Sequence, residues 1–232
     1  MKLEIVLPVY NEEEILEKNV IRVKNFFKKH NFKFIISIVD NGSTDNTYKI
    51  AKNLADKNDN IFAFKLKKRG RGRALKFRIL NSSCAILGYM DIDLSADLYD
   101  FLILYREIQN GYDIVIGSRL LPASSVKRSI LRKLLSRVYS KMVRRVLNLP
   151  FFDYQCGFKL FRRENIVSLI PLIKNNNWFF DTELLFYAYR KNLKIKEIPI
   201  RWRERKYGRV KLLPTIIEDI KGIMRLRFNS VV

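Results

Sequence analysis

The chain has 232 residues, 48% of them hydrophobic, which suits one α/β domain with a sizeable core; with two cysteines and one histidine it has no disulfide framework, no His-based triad and no His-rich zinc site. Lys and Arg number 45 against 23 Asp and Glu, and the net charge of +22 requires a polyanionic partner: nucleic acid, anionic lipid or phosphorylated substrate. No apolar run reaches the roughly 18–20 residues of a membrane-spanning helix, Met1 leads into a strand-like run and not a signal peptide, and the cysteine usage fits a reducing cytoplasm.

Leu3–Val9 reads as a first strand, apolar throughout as a central parallel strand is, with Pro8 near its end. Ile15, Leu16, Val20, Val23, Phe26 and Phe27 then recur at helical spacing, with Asn11 as the expected N-cap and Glu12, Glu13 and Glu14 in the first turn. Phe34–Val39 is a second buried strand ending at Asp40, and the turn Asn41–Thr47 opens a helix predicted from about Asp45 to Lys57. Ile61–Leu66 is the third strand. The basic loop Lys67–Arg73 carries Gly70 and Gly72 ahead of another helix; it reads either as a phosphate-binding turn or as a solvated basic loop.

Ser83–Gly88 is the fourth strand, and where it should end stand Asp91 and Asp93. In an extended chain residues i and i+2 face one side, so the two carboxylates would converge, and left unpaired at least one would tend to stay protonated. A divalent cation, Mg²⁺ or Mn²⁺, removes that conflict by taking hard oxygen ligands from carboxylates and a substrate diphosphate. The spacing also fits a polar strand end followed by a helix cap. Leu98–Gln109 is predicted as a helix and Tyr112–Gly117 as a fifth strand, running into Ser118 and Arg119. Strand and helix thus alternate as in a doubly wound α/β sheet. Asp40, Asp91, Asp93 and Arg119 fall at the strand carboxyl ends, where such sheets bind ligands.

After Pro122, apolar residues from Val126 to Leu147 recur at helical spacing with Lys and Arg between them. This basic amphipathic helix reads as a membrane-surface element or as a core helix with a solvated face. Asp153–Phe161 is polar at its start and aromatic at its end. Trp178–Glu183 opens a helix to about Arg190, Ile195–Ile200 is a sixth strand, Arg201–Lys211 is basic, and Leu212–Phe228 is a last amphipathic helix. The expected organisation is one catalytic domain over 1–211, with a nucleotide-sugar and metal half (1–119) and an acceptor half (120–211), followed by the C-terminal helix within 212–232.

Several stretches recur in one order: Leu7–Glu12, Val39–Asp45, Gly70-Arg71-Gly72, Asp91-Ile92-Asp93, Gly117-Ser118-Arg119, Asp153–Phe161 and Phe180–Glu183. With them the chain resembles family 2 glycosyltransferases, and within that family the dolichyl-phosphate mannose synthases and dolichyl-phosphate β-glucosyltransferases. Gln155–Phe161 resembles the glucosyl branch more. The resemblance implies a GT-A fold, a mostly parallel sheet flanked by helices, with C-terminal amphipathic helices near a membrane. It implies that Pro8, Tyr10, Asn11, Glu12, Gly70 and Arg71 line the nucleotide pocket and that Asp40 meets the base or ribose. Asp91 and Asp93 would hold the metal on the diphosphate. Ser95, as a weaker third metal ligand, stands where the mannose synthases often carry a Gln ligand. Arg119, Arg132, Ser136, Arg205 and Lys211 match positions around the acceptor phosphate, although Val210 replaces a hydroxyl-bearing residue of that last motif. Gln155, Asp181 and Glu183 are left for sugar hydroxyls.

The implied reaction is inverting transfer of a hexose from GDP-mannose or UDP-glucose to dolichyl or polyprenyl phosphate, at the cytoplasmic face of a membrane, by a peripheral protein held on an anionic surface. Two other readings remain at this point. A hydroxyl acceptor would need a carboxylate base, with Asp153 or Asp181 as candidate. A nucleic-acid-binding protein would explain the charge but not Asp91 and Asp93, so nucleic acid is not the expected partner.

Overall fold

The computed structural model describes residues 2–204 and 212–228. The chain runs β1 (Leu3–Val9), α1 (Leu16–Lys29), β2 (Phe34–Asp40), α2 (Thr47–Asp56), β3 (Ile61–Lys65), α3 (Arg71–Asn81), β4 (Ile86–Met90), α4 (Asp100–Gln109) and β5 (Ile114–Ser118). It continues with β6 (Ser125–Lys127), α5 (Ile130–Leu147), β7 (Phe158–Arg162), α6 (Arg163–Val167), a 3₁₀ turn at Ile170–Leu172, α7 (Phe180–Arg190), β8 (Ile195–Pro199), β9 (Arg201–Arg203) and α8 (Leu212–Phe228).

Seven strands form one sheet in the order β3-β2-β1-β4-β7-β5-β8, and β6 pairs with β9 beside it. All pairs in the large sheet are parallel except those of β7, which runs antiparallel to both β4 and β5. β1 is an interior strand and every one of its residues is buried. Its alternate side chains feed two cores. Leu3, Ile5, Leu7 and Val9 meet α1, α2 and α4 on one face, while Val6 meets α3, α5, α7 and α8 on the other.

Three expectations are corrected here. Phe158–Arg162 is an inner strand: Lys159 interrupts its apolar alternation, and its two neighbours come from far upstream, so local pattern did not announce it. Asn11 is not a helix cap. It adopts φ 53°, and its Oδ1 accepts the Thr44 N–H at 2.8 Å, tying the β1 loop to the β2 loop five residues before α1 begins at Leu16. Val126 lies in β6 opposite Trp202, so α5 starts only at Ile130.

α5 divides along its length. Val143 and Leu147 enter the core, whereas Ile130, Leu131, Leu134 and Val138 stay exposed. α8 packs against α5, burying Ile223 and Leu226 and leaving Ile216, Ile217, Ile220, Met224 and Phe228 exposed. Among the described residues no helix is long and apolar enough to cross a membrane.

Inside the α3 face, Glu4 of β1 is fully buried. It accepts Arg78 Nε at 2.7 Å and Arg78 Nη2 at 3.2 Å, and also the Ser82 hydroxyl. Arg78→Met would strand that carboxylate in the core, a loss of about 3–5 kcal/mol. Urea unfolding should show that drop, and adding Glu4→Gln should recover part of it.

Candidate active site

The cleft forms where the loops after β1, β2, β4 and β5 meet the loop before β7. Because β7 is antiparallel, Met90 pairs with Phe158, and the residues just past β4 lie against those just before β7. Gly157 faces Asp91 so closely that a Cβ there would fall inside the Asp91 carboxylate. A tight turn follows, in which Leu94 N–H donates to Asp91 C=O at 3.1 Å with Leu94 at φ 50°. Asp93 accepts the Ser95 N–H at 3.0 Å and the Ser95 hydroxyl at 2.7 Å. Ser95 therefore orients the Asp93 carboxylate.

Arg71, the first residue of α3, sits behind Asp91. Its Nε donates to Asp91 Oδ1 at 3.1 Å and its Nη1 to Asp181 Oδ2 at 2.6 Å, and the guanidinium lies 5.2 Å from the Tyr89 ring and 5.1 Å from the Trp178 ring. Asp181 Oδ1 also accepts Lys159 Nζ at 2.8 Å and the Tyr89 hydroxyl. Burial pushes the Asp181 pKa up, but Lys159 and Arg71 outweigh it and hold the carboxyl below its ordinary value. The glycines beside Arg71 have a packing reason: Cβ atoms on Gly70 and Gly72 would strike the backbone of Asn176 and the side chain of Phe180, respectively.

On the β1 and β2 side, Pro8, Tyr10, Glu12 and Asn41 line the cleft with Gly70, and the Arg69 guanidinium stacks 4.0 Å over the Tyr10 ring. Asp40 is fully buried beneath this wall. Its Oδ1 accepts the Ser43 N–H at 3.1 Å and the Ser43 hydroxyl, while Oδ2 has no partner. Asn11 and Asp40 thus shape the loops without lining the cleft.

On the opposite wall Arg119 grips Asp153 through Nε at 2.7 Å, Nη2 at 2.8 Å and its own N–H at 2.9 Å, and lies 5.0 Å from the Trp202 ring. Burial raises the Asp153 pKa, but Arg119 overrides it and holds the carboxyl low. Arg132 Nη1 donates to Glu204 at 2.6 Å; Arg128 donates to the same oxygen at 3.3 Å and to Ser136 Oγ at 2.8 Å. Burial and then Arg119 push the Arg128 pKa below its ordinary value against the pull of Glu204. The wall therefore holds more positive charge than it neutralises.

The structure brings Pro8, Tyr10, Glu12, Gly70, Arg71, Asp91, Asp93, Ser95, Arg119, Arg132 and Gln155 to one cleft of about 250 Å³. Ser136 stands behind it, holding Arg128. Asp181 and Glu183 do not reach it: both are fully buried, and Glu183 accepts the Asn175 N–H at 2.6 Å and pairs with Arg225 of α8. They are acids in the first turn of α7, where the helix dipole favours them. Arg205 and Lys211 lie outside the described residues. Sequence reasoning missed Asn41, Arg128, Trp202 and Lys159 as site or supporting residues. A lysine inside an aromatic strand was the available signal for Lys159, whose Nζ also donates to the carbonyls of Tyr154 and Cys156.

Asp91 and Asp93 offer hard oxygen donors at one mouth, and among the described residues no group of three or more His, Cys, Asp and Glu is placed to hold a metal by itself. A cation shared between two carboxylates and a ligand's phosphates, the usual Mg²⁺ arrangement, fits that donor set.

The family model described as Glycosyl transferase family 2 matches residues 4–169. This chain belongs to the family 2 glycosyltransferases. It is 34% identical to the glycosyltransferase AglD of Haloferax volcanii over 97% of this chain and 37% of that protein. It is also 34% identical to the dolichyl-phosphate beta-glucosyltransferase of Dictyostelium discoideum, over 98% of this chain and 74% of that one. The fold is the GT-A fold expected from the sequence. It matches the Mycobacterium tuberculosis glucosyl-3-phosphoglycerate synthase, solved with Mn²⁺, UDP and glucosyl-3-phosphoglycerate, at a TM-score of 0.71 and 17% identity over 97% of this chain and 79% of that one.

Two outcomes test this geometry in the glycosyltransferase. Gly157→Ala should displace the Asp91 carboxylate, lowering the affinity for UDP measured by calorimetry with Mn²⁺ added at least about tenfold, with an unchanged circular dichroism spectrum. Asp153 has a folded pKa below its unfolded value of about 3.9, so its contribution is complete above that pH and is lost as pH falls through the folded value. Asp153→Asn should therefore cost on the order of 3 kcal/mol at pH 7, and urea titrations should show its gap from wild type closing only below about pH 4.

Proposed function

We propose that this glycosyltransferase moves glucose, with inversion, from UDP-glucose to the phosphate of a dolichyl or other polyprenyl phosphate at a membrane surface. The names of the relatives favour glucose over mannose. The observation that carries the reading is the state of the two carboxylates that the sequence offered as a candidate base. Asp153 is clamped by Arg119, Asp181 is clamped by Arg71 and Lys159, and both are held in the ionised, weakly basic range.

A sugar hydroxyl normally needs a carboxylate to remove its proton. A phosphate monoester has a second pKa near 6 and is already largely dianionic at neutral pH. The protein's task is then to orient the dianion toward the anomeric carbon. Arg128 and Arg132 suit this, with Arg119 fixed between Asp153 and Trp202. On the donor side Arg69 and Arg71 flank the place for the diphosphate. Asp91 and Asp93 would hold Mg²⁺ or Mn²⁺, which when bound would supply positive charge against the departing nucleoside diphosphate. Gln155, in the cleft lining, is placed for sugar hydroxyls. The exposed apolar faces of α5 and α8, with the basic residues between them, provide peripheral attachment to an anionic surface.

The test is incubation with labelled UDP-glucose or GDP-mannose, polyprenyl phosphate and Mn²⁺. The expected product is a glucosyl lipid phosphate that a chelator abolishes; equal transfer to the polyprenyl alcohol would overturn the phosphate reading. Arg132→Ala should raise KM for the lipid phosphate about tenfold or more, as loss of a charge-assisted contact does, and leave nucleotide affinity unchanged.

A further inference from the structure

On the other side of Arg69 from the cleft, the start of α3, the 174–177 segment and α8 border an open cavity of about 370 Å³. Arg69, Arg73, Lys174, Lys221 and Arg225 line it, against Glu218 as the lining carboxylate among the described residues. Glu218 accepts the side-chain amides of Asn175 and Asn177, each at 2.8 Å, and Arg225 is paired with Glu183. No ion pair joins Arg69, Arg73, Lys174 or Lys221 to a carboxylate among the described residues, and the Arg73 Nε is buried without a partner. Behind the cavity, burial pushes the Lys76 pKa down and Glu183 pulls it back, while Arg73 and Arg225 lower it further. The cavity carries an uncompensated positive field and a donor that needs an acceptor.

Its α8 wall has a second property. Glu218, Lys221 and Arg225 recur at helical spacing and face the cavity, and the adjoining stripe is Ile217, Ile220 and Met224, all exposed. An anionic cavity ligand with an apolar extension fits both surfaces; a free anion fits only the first. We propose that this cavity is a headgroup site for an anionic phospholipid, separate from the acceptor's site, with the lipid phosphate among Arg73, Lys174 and Lys221 and its acyl chains along the α8 stripe. Arg69 and Asn177 line both this cavity and the cleft, so an occupied headgroup site abuts the donor wall.

The inference rests on the membrane-surface part of the reading above, and the experiment separates the two. Lys174→Gln with Lys221→Gln is compared with Lys28→Gln with Lys29→Gln, which removes equal charge from the exposed end of α1. Sedimentation with phosphatidylcholine vesicles containing phosphatidic acid should fall tenfold or more for the cavity pair and less than twofold for the control pair. Calorimetric nucleotide affinity should be unchanged in both. Equal losses in the two pairs would mean diffuse attraction, and no vesicle binding by the wild type would remove the site altogether; either result overturns the proposal. Glycerol 1-phosphate binding as tightly as the vesicles, and lost in the cavity pair, would assign the cavity to a soluble phosphate and overturn the lipid assignment. Transfer to a short-chain, water-soluble polyprenyl phosphate without vesicles reports on the transferase reading independently.

Discussion

The site depends on one buried guanidinium. Arg71 is held between Asp91, at the end of β4, and Asp181, in the first turn of α7, and Asp181 is held in turn by Lys159 of β7. Arg71, Asp181 and Lys159 lie away from water, where charges are tolerated only when each has a partner of opposite sign and good geometry. Removing any one strands the others, so the group fixes α3, β4, β7 and α7 against one another as a unit. The same demand accounts for the flanking glycines: α3 must start close enough to the 176–180 segment for Arg71 to reach Asp181, and side chains at Gly70 or Gly72 would keep it away. A Gly-Arg-Gly run that suggests a phosphate cradle is here a requirement of close packing.

The large positive charge is spent in two ways. Inside, arginines are matched with carboxylates, as in Arg78 with Glu4, Arg119 with Asp153 and Arg71 with Asp91 and Asp181. Around the cleft and along α8 the matching is incomplete. Two arginines share Glu204, and burial and Arg119 together lower the pKa of Arg128. Net charge alone could not distinguish these uses, since a paired internal arginine and an unmatched one at a binding wall count equally in a composition.

The parallel strands were legible because each is short, apolar and followed by a polar turn; Leu3–Val9 was read to the residue. Asp91, Asp93 and Arg119 were legible for a related reason, since a charged residue at the carboxyl end of a buried strand has few structural explanations. What failed was whatever depended on a distant partner. Val126 pairs with Trp202, and Asn11 bonds to Thr44, so local helix signals misled at both. Asp181 and Glu183 attracted a ligand role as acids in a motif, yet they answer Arg71, Lys159 and Arg225, cations from three other elements.

The reversed direction of β7 has a consequence for how the chain is made. β4 and β5 are not neighbours; the strand between them is synthesised only after both, and after the whole of α5. Until Phe158–Arg162 emerges, β4 has a bare edge and β5 has no partner in the sheet at all, and an unpaired apolar edge is prone to pair with another chain. Closure of the sheet is therefore a late, long-range event, the kind that slows folding and prolongs exposure. Cutting the chain between residues 119 and 120 would not release two foldable lobes, because the seam runs through the middle of a single sheet. The insertion that completes the sheet also brings Gly157 against Asp91, so a nascent chain acquires its cleft only when its last inner strand slots home.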